Sequence, residues 1–111
     1  MVAMKRPENP QAALELLILK TLDRAPNHGF GIAQHIEESS SDLLRVEEGS
    51  LYPAIHRLEK YGYIEAEWQV TAAHRRARVY RLTRDGKRRL KDLERSWATL
   101  AQGVRSVIDL A

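Results

Sequence analysis

Residues 49–62 read Gly-Ser-Leu-Tyr-Pro-Ala-Ile-His-Arg-Leu-Glu-Lys-Tyr-Gly, from Gly49 to Gly62. Pro53 has no N–H and belongs in the first turn of a helix, where no intrahelical partner is missed. That places the helix start near Gly49–Leu51. Gly62 ends it, because glycine is the usual residue just past a helix C-terminus. At about 100° per residue, Leu51, Ala54, Ile55 and Leu58 fall on one side. Tyr52, Pro53, His56, Arg57 and Lys60 fall on the other, with Ser50 at its edge. One face suits a core. The other carries a phenol, an imidazole, a guanidinium and an ammonium, groups that donate to base edges and phosphates.

Beyond Gly62 the period changes to two. Ile64, Ala66, Trp68 and Val70 alternate with Glu65, Glu67 and Gln69, and a second run rich in Val, Tyr, Leu and Thr covers 77–83. This pattern predicts a β-hairpin with a loop longer than two residues. Its tip and second strand carry His74, Arg75, Arg76, Arg78 and Arg81. Tyr80 and Leu82 alternate with Arg81 and are expected in the core, and Trp68 is expected in the core or as a cross-strand partner. A positive hairpin beside a polar-faced helix can grip backbone phosphates while the helix reads a groove.

Upstream, Asn9-Pro10 predicts a helix start with Asn9 as N-cap and Pro10 at the first helical position. Leu14, Leu17, Ile18, Thr21 and Leu22 give it one apolar face, and Leu16 and Leu19 widen the band, so a second partner surface is expected. Pro26 stops this helix. A second helix is predicted from Gly29 to Glu38, with Phe30, Ala33 and Ile36 facing inward. Leu43, Leu44 and Val46 predict one short strand before Glu47-Glu48, which suit the positive end of the Gly49–Gly62 helix.

Thr83 is placed to cap a last helix, with Asp85 in its first turn and Gly86 as a weak spot. Leu90, Leu93, Trp97, Leu100, Val104 and Val107 recur at three and four, a heptad seam that asks for another helix. A homodimer joined along this seam is the reading the spacing favours over packing within the chain. The element order is helix, helix, short strand, helix, hairpin, long helix. The expected fold is α+β, mainly α: a winged helix-turn-helix over 9–83, with a C-terminal dimerisation helix over 84–111 in the same compact unit.

Composition narrows the function. The 111 residues suffice for one domain, and the net charge is +3. The basic excess is local: residues 63–95 hold ten Lys/Arg against five Asp/Glu, whereas 1–62 hold seven against nine. Such a patch points to a polyanion partner. Cysteine is absent, so no disulfide framework or thiolate metal site is expected. His28 and His35 have no second ligand at metal spacing. No apolar run approaches the roughly 20 residues of a membrane span, and the N-terminus lacks a signal-peptide core, so a cytoplasmic location is expected. No nucleophile–base pair, metal cluster or phosphate-cradling glycine loop is evident, so neither an enzyme nor a cofactor is expected.

Gly49-Ser50-Leu51-Tyr52-Pro53-Ala54-Ile55-His56-Arg57-Leu58-Glu59, followed by Gly62-Tyr63-Ile64 and Trp68, resembles the signature of the PadR family of bacterial transcriptional regulators. Leu14–Leu19, His28-Gly29-Phe30-Gly31-Ile32 and Arg78-Val79-Tyr80-Arg81-Leu82-Thr83 resemble its first helix, second-helix start and second wing strand. Phe30 stands where tyrosine is common. One long helix after the wing resembles the short subgroup. The resemblance implies a homodimer on a pseudo-palindromic operator, usually a repressor, with Ser50, Tyr52, His56 and Arg57 at double-stranded DNA. The residues themselves add Lys60 on the same helix and His74, Arg75, Arg76 and Arg78 on the wing. Some short relatives bind flat aromatic compounds between subunits through a tryptophan on the last helix. Trp97 is therefore a candidate to contact a small aromatic effector, although the reading favoured for it is a large side chain filling the dimer contact. The rival readings are a winged-helix protein-interaction module and a non-specific architectural DNA binder.

Overall fold

The computed structural model describes residues 10–70 and 72–110. Four helices and a three-stranded antiparallel sheet follow in the order α1 (Pro10–Arg24), β1 (Asn27–His28), α2 (Gly29–Ser39), α3 (Glu48–Lys60), β2 (Ile64–Val70), β3 (Arg76–Leu82) and α4 (Arg84–Ile108). The strand order is β1-β3-β2. This is a mainly helical α+β fold, a winged helix with a long C-terminal helix, as the element order leads one to expect. Pro10 opens α1 as predicted; Asn9, its expected cap, lies outside the described residues.

The core forms where α1, α2 and α3 converge on the inner end of the hairpin. Ile18 and Leu19 of α1, Ile32 and Ile36 of α2, and Leu51, Ala54, Ile55 and Leu58 of α3 meet Ile64, Tyr80, Leu90 and Leu93. Phe30 is not among them and is 67% exposed. The inward register of α2 is Gly29, Ile32 and Ile36 with Ala33 partly buried, which is the i, i+3, i+4, i+7 spacing of a helix stripe. A register begun at Phe30 breaks that spacing.

The strand expected at Leu43–Val46 does not form. Ser41 and Asp42 take positive φ, at 52° and 64°, and turn the chain. The following backbone donors are satisfied locally: Leu43 N–H bonds the Ser40 carbonyl, Leu44 N–H the Ser40 hydroxyl, and Val46 N–H a Glu37 carboxylate oxygen. With its amides satisfied this way, the segment does not need a sheet partner. The third strand is instead β1, whose two residues pair with Val79 and Tyr80. Two residues are too few to show a period.

Helix α3 begins at Glu48, so Pro53 lies in its second turn and not its first. The carbonyl that loses its donor is that of Gly49, on an exposed stretch. The far end is a Schellman closure: Tyr63 N–H bonds the Leu58 carbonyl at 2.9 Å and Gly62 N–H the Glu59 carbonyl at 3.0 Å. Gly62 carries the required positive φ of 78°. This turn launches β2 directly from the end of α3, so wing and helix share one corner.

Thr83 closes that corner from the other side. Its hydroxyl accepts from Gly86 N–H at 3.0 Å, capping α4, and donates to the Gly62 carbonyl at 2.6 Å. Gly86 is not a weak spot but a contact point. A Cβ there would lie 2.0 Å from the Tyr63 carbonyl oxygen, which also accepts from Thr83 N–H. Gly86→Ala should therefore lower stability by about 1–3 kcal/mol, the usual cost of overpacking, although alanine is the better helix former. Urea unfolding followed by helical ellipticity checks this; a gain in stability would mean the α3–α4 corner is looser than described.

Candidate nucleic-acid interface

The apolar stripe of α3 is fixed by burial. Leu51, Ala54, Ile55 and Leu58 are each at most 1% exposed. The opposite face is thereby committed to solvent, and Ser50, Tyr52, Pro53, His56 and Lys60 are exposed there. Tyr52 leans toward α2, its ring lying over Gly29, where an added Cβ would sit 2.7 Å from the ring. At the start of α2 the His28 ring accepts from Gly31 N–H at 3.0 Å and stacks on exposed Phe30, centroids 6.4 Å apart. Phe30 thus joins the outer surface, a placement that the stripe spacing of α2 already implies.

Arg57 departs from the other polar residues of α3. It is half-buried and turned toward α1, with Nε 3.8 Å from a Glu15 carboxylate oxygen. Arg89 of α4 approaches the other oxygen of Glu15 at 3.9 Å. Glu15 is only 7% exposed. One buried carboxylate thus lies between two guanidiniums and links α1, α3 and α4. Wheel geometry puts Arg57 on the flank of the exposed face, and Glu15 draws it inward.

The hairpin leaves the core after its first residues. In β2 only Ile64 is buried, and Trp68 and Val70 are 57% and 70% exposed. Tyr80 is buried as expected, and Leu82 packs against the core. Burial raises the Tyr80 phenol above its ordinary value of 10.0, with Arg78 opposing and Glu59 and Tyr52 adding to the rise. Trp68 is a cross-strand partner and not a core residue: it lies opposite Arg78 in the register. The Arg76 guanidinium sits 4.8 Å from its ring centroid. His74 is at the tip with φ of 58°, and Arg75 is exposed beside it. Arg81 lies on the other hairpin face, bonded to Glu65 at 2.8 Å. Arg78 donates to Glu59 of α3 at 2.5 Å. The acidic partners Glu15 and Glu59 were not singled out by the sequence pattern, because helical spacing does not show which cation a carboxylate will meet across the fold.

The heptad seam of α4 divides in two. Leu90 and Leu93 are 3% and 2% exposed and belong to the chain's own core, so they are not free for a dimer contact. From Trp97 onward the helix leaves the body. Trp97, Leu100, Ala101, Val104 and Ile108 form an exposed apolar stripe along one face of α4, edged by Arg105 and Asp109. Ile108 takes the last place in this stripe, where the seam predicts Val107, as a straight 3.6-residue helix drifts from a 3.5 repeat. A groove runs along α1, lined by Ala13, Leu14, Leu17, Leu44 and Val46. This is the second apolar surface that the wide band of α1 implies.

The model of the transcriptional regulator PadR-like family matches residues 18–92, from the middle of α1 to the first turns of α4. The chain belongs to the PadR family of transcriptional regulators. A transcriptional regulator of Mycobacterium tuberculosis is 37% identical over 97 residues, covering 87% of each chain. An uncharacterised protein of Lysinibacillus sphaericus is 30% identical over 107 residues, covering 96% of this chain and 94% of that one. Among solved structures, a Streptococcus mutans protein superposes with a TM-score of 0.80 at 27% identity, covering 96% and 94% of the two chains. A PadR-like transcription factor from Bacteroides fragilis gives 0.72 at 31% identity, covering 87% and 91%. This PadR-family chain is thus a DNA-binding regulator of transcription by kinship. Among the described residues no helix is long and apolar enough to cross a membrane.

Glu15 offers a test of the interface's internal support. Glu15→Ala should lower stability by about 1–3 kcal/mol, because two guanidiniums lose their shared partner while Arg57 can still turn to water. Urea unfolding measures this. No loss would show that the buried carboxylate contributes nothing net.

Proposed function

We propose that the chain acts as a homodimeric repressor that binds a pseudo-palindromic operator and is released by a small aromatic effector. The observation that carries the reading is the exposed face of α3, with Tyr52, His56 and Lys60 held outward by a fully buried opposite stripe. Ser50 and Arg57 flank it, and the wing adds His74, Arg75 and Arg76, with Arg78 on the same strand tied to Glu59. In this reading α3 enters the major groove, and Arg75 and Arg76 meet phosphates on the flank. Bound near a promoter, the dimer blocks polymerase sterically.

An exposed apolar stripe on α4 and an apolar groove beside α1 support self-association. The stripe Trp97–Ile108 continues an anchored helix, and the α1 groove lies ready for a partner element. Residues 84–111 then serve two roles: the first turns of α4 complete the domain, and the rest joins the copies. Two-fold symmetry sets half-sites about 10 bp apart or a multiple of it. Trp97, 44% exposed at the head of the stripe, is the residue on which a planar aromatic would stack. Such a ligand would alter the tilt of α4 and the spacing of the two reading helices.

Two variants separate the roles. His56→Ala should cost about 1–3 kcal/mol at particular base pairs and leave random-duplex affinity nearly unchanged. Arg75→Ala should weaken operator and random duplex alike and flatten the salt slope by about one. Equal losses on both duplexes for His56→Ala would remove its base-reading role. Val104→Glu should yield folded monomers by sedimentation, with helicity retained and operator affinity reduced. A parent chain that sediments as a monomer would overturn the dimer.

A further inference from the structure

The outer half of the hairpin has no core beneath it. From Glu67 to Val70 and from Arg76 to Val79 no side chain is buried. A two-stranded ribbon of this kind is marginal in water and free to swing about its base. Its direction relative to α3 nevertheless has to be set if helix and wing are to meet one duplex together.

One chain of contacts spans the gap. Glu59, in the last turn of α3, accepts from Arg78 of β3 at 2.5 Å, with the two side chains 27% and 39% exposed. The same guanidinium lies 5.9 Å from the Tyr80 ring centroid and 6.0 Å from that of Trp68. Trp68 faces Arg78 directly across the hairpin, and its ring also carries Arg76 at 4.8 Å. The parity of the strands puts Trp68, Arg76, Arg78 and Tyr80 on one face. The order is therefore helix carboxylate, guanidinium, indole, guanidinium. The first link is a charge-assisted hydrogen bond, among the stronger kinds. The others are cation–π contacts worth about 0.5–1 kcal/mol at exposed sites.

We infer that Glu59 and Trp68 are positioning residues of the DNA-binding surface: Glu59 ties Arg78 down as a strut between reading helix and wing, and Trp68 is the platform that presents Arg76 to the phosphates. This rests on the DNA-binding reading above and refines it. The two arginines, two residues apart on one strand, have different tasks. Arg76 releases counterions on binding. Arg78 is already engaged by a carboxylate, and a phosphate would have to displace Glu59 to claim it. Replacing Arg78 should move the wing without removing a phosphate contact.

The test measures the salt dependence of binding to a random-sequence duplex, together with amide hydrogen exchange of the free protein. Arg76→Gln should flatten the slope by about one and leave exchange unchanged. Arg78→Gln should leave the slope at the parent value while amides in 67–70 and 76–79 exchange at least several-fold faster. Glu59→Gln should repeat the exchange change, and the swap of Glu59→Arg with Arg78→Glu should restore protection. In a Trp97→Phe background Trp68 is the sole tryptophan, and its emission should shift with Arg76→Gln in the absence of DNA. A slope lost with Arg78→Gln as large as that with Arg76→Gln would make Arg78 a phosphate contact and overturn the strut. Unchanged exchange in both Arg78→Gln and Glu59→Gln would overturn it equally. A parent chain that holds no duplex at low salt would sink the DNA-binding reading itself, an outcome the exchange and emission data do not share.

Discussion

Burial of four side chains of one helix governs the molecule. Leu51, Ala54, Ile55 and Leu58 leave almost no surface to water, and each of the three large ones stabilises the fold by about 1.5–3 kcal/mol relative to exposure. Their angular spread fixes the rotation of α3 about its own axis. That rotation decides that Tyr52, His56 and Lys60 face outward, since a turn of one residue in one direction would put Leu51, Ile55 and Glu59 in their places. The packing of α1 and α2 behind α3 is thus the physical source of the site's chemistry.

From this fixed helix the remaining parts are aimed by short links. The Gly62 turn starts the wing, and Thr83 and Gly86 bring α4 back against the same corner. Glu15 joins α3 to α4 through Arg57 and Arg89, while Glu59 joins α3 to the wing through Arg78. Two acidic residues therefore engage three basic ones within the chain. In the proposed reading, the surface offered to a polyanion is narrower than the count of basic residues suggests. A tilt of α4 has a physical route to α3 in this arrangement, because the anchored turns at Leu90 and Leu93 and the Glu15 cluster belong to one packed unit.

Much of this was legible beforehand. The α3 stripe, the hairpin, the Thr83 cap and the mainly helical winged architecture all follow from local periods and turn residues. What was not legible depended on partners distant in sequence. The two-residue strand β1 has no period of its own and exists because β3 has an open edge. The Leu43–Val46 segment looked like a strand because its apolar residues suit one, but Ser40 and Glu37 satisfy its amides. Leu90 and Leu93 share the spacing of Trp97 and Val104, and spacing alone does not say where an intrachain partner ends. Arg57 and Arg78 stand among outward cations in sequence, and only the fold places Glu15 and Glu59 beside them.

The central claim is that paired copies present two outward α3 faces to successive turns of duplex DNA. Selection of genomic fragments by the purified protein at moderate ionic strength tests it most directly. The account predicts a recovered motif with two inverted half-sites whose centres lie about 10 bp apart, or a multiple of that. Fragments sharing no motif, or a single half-site without its inverted mate, would contradict it.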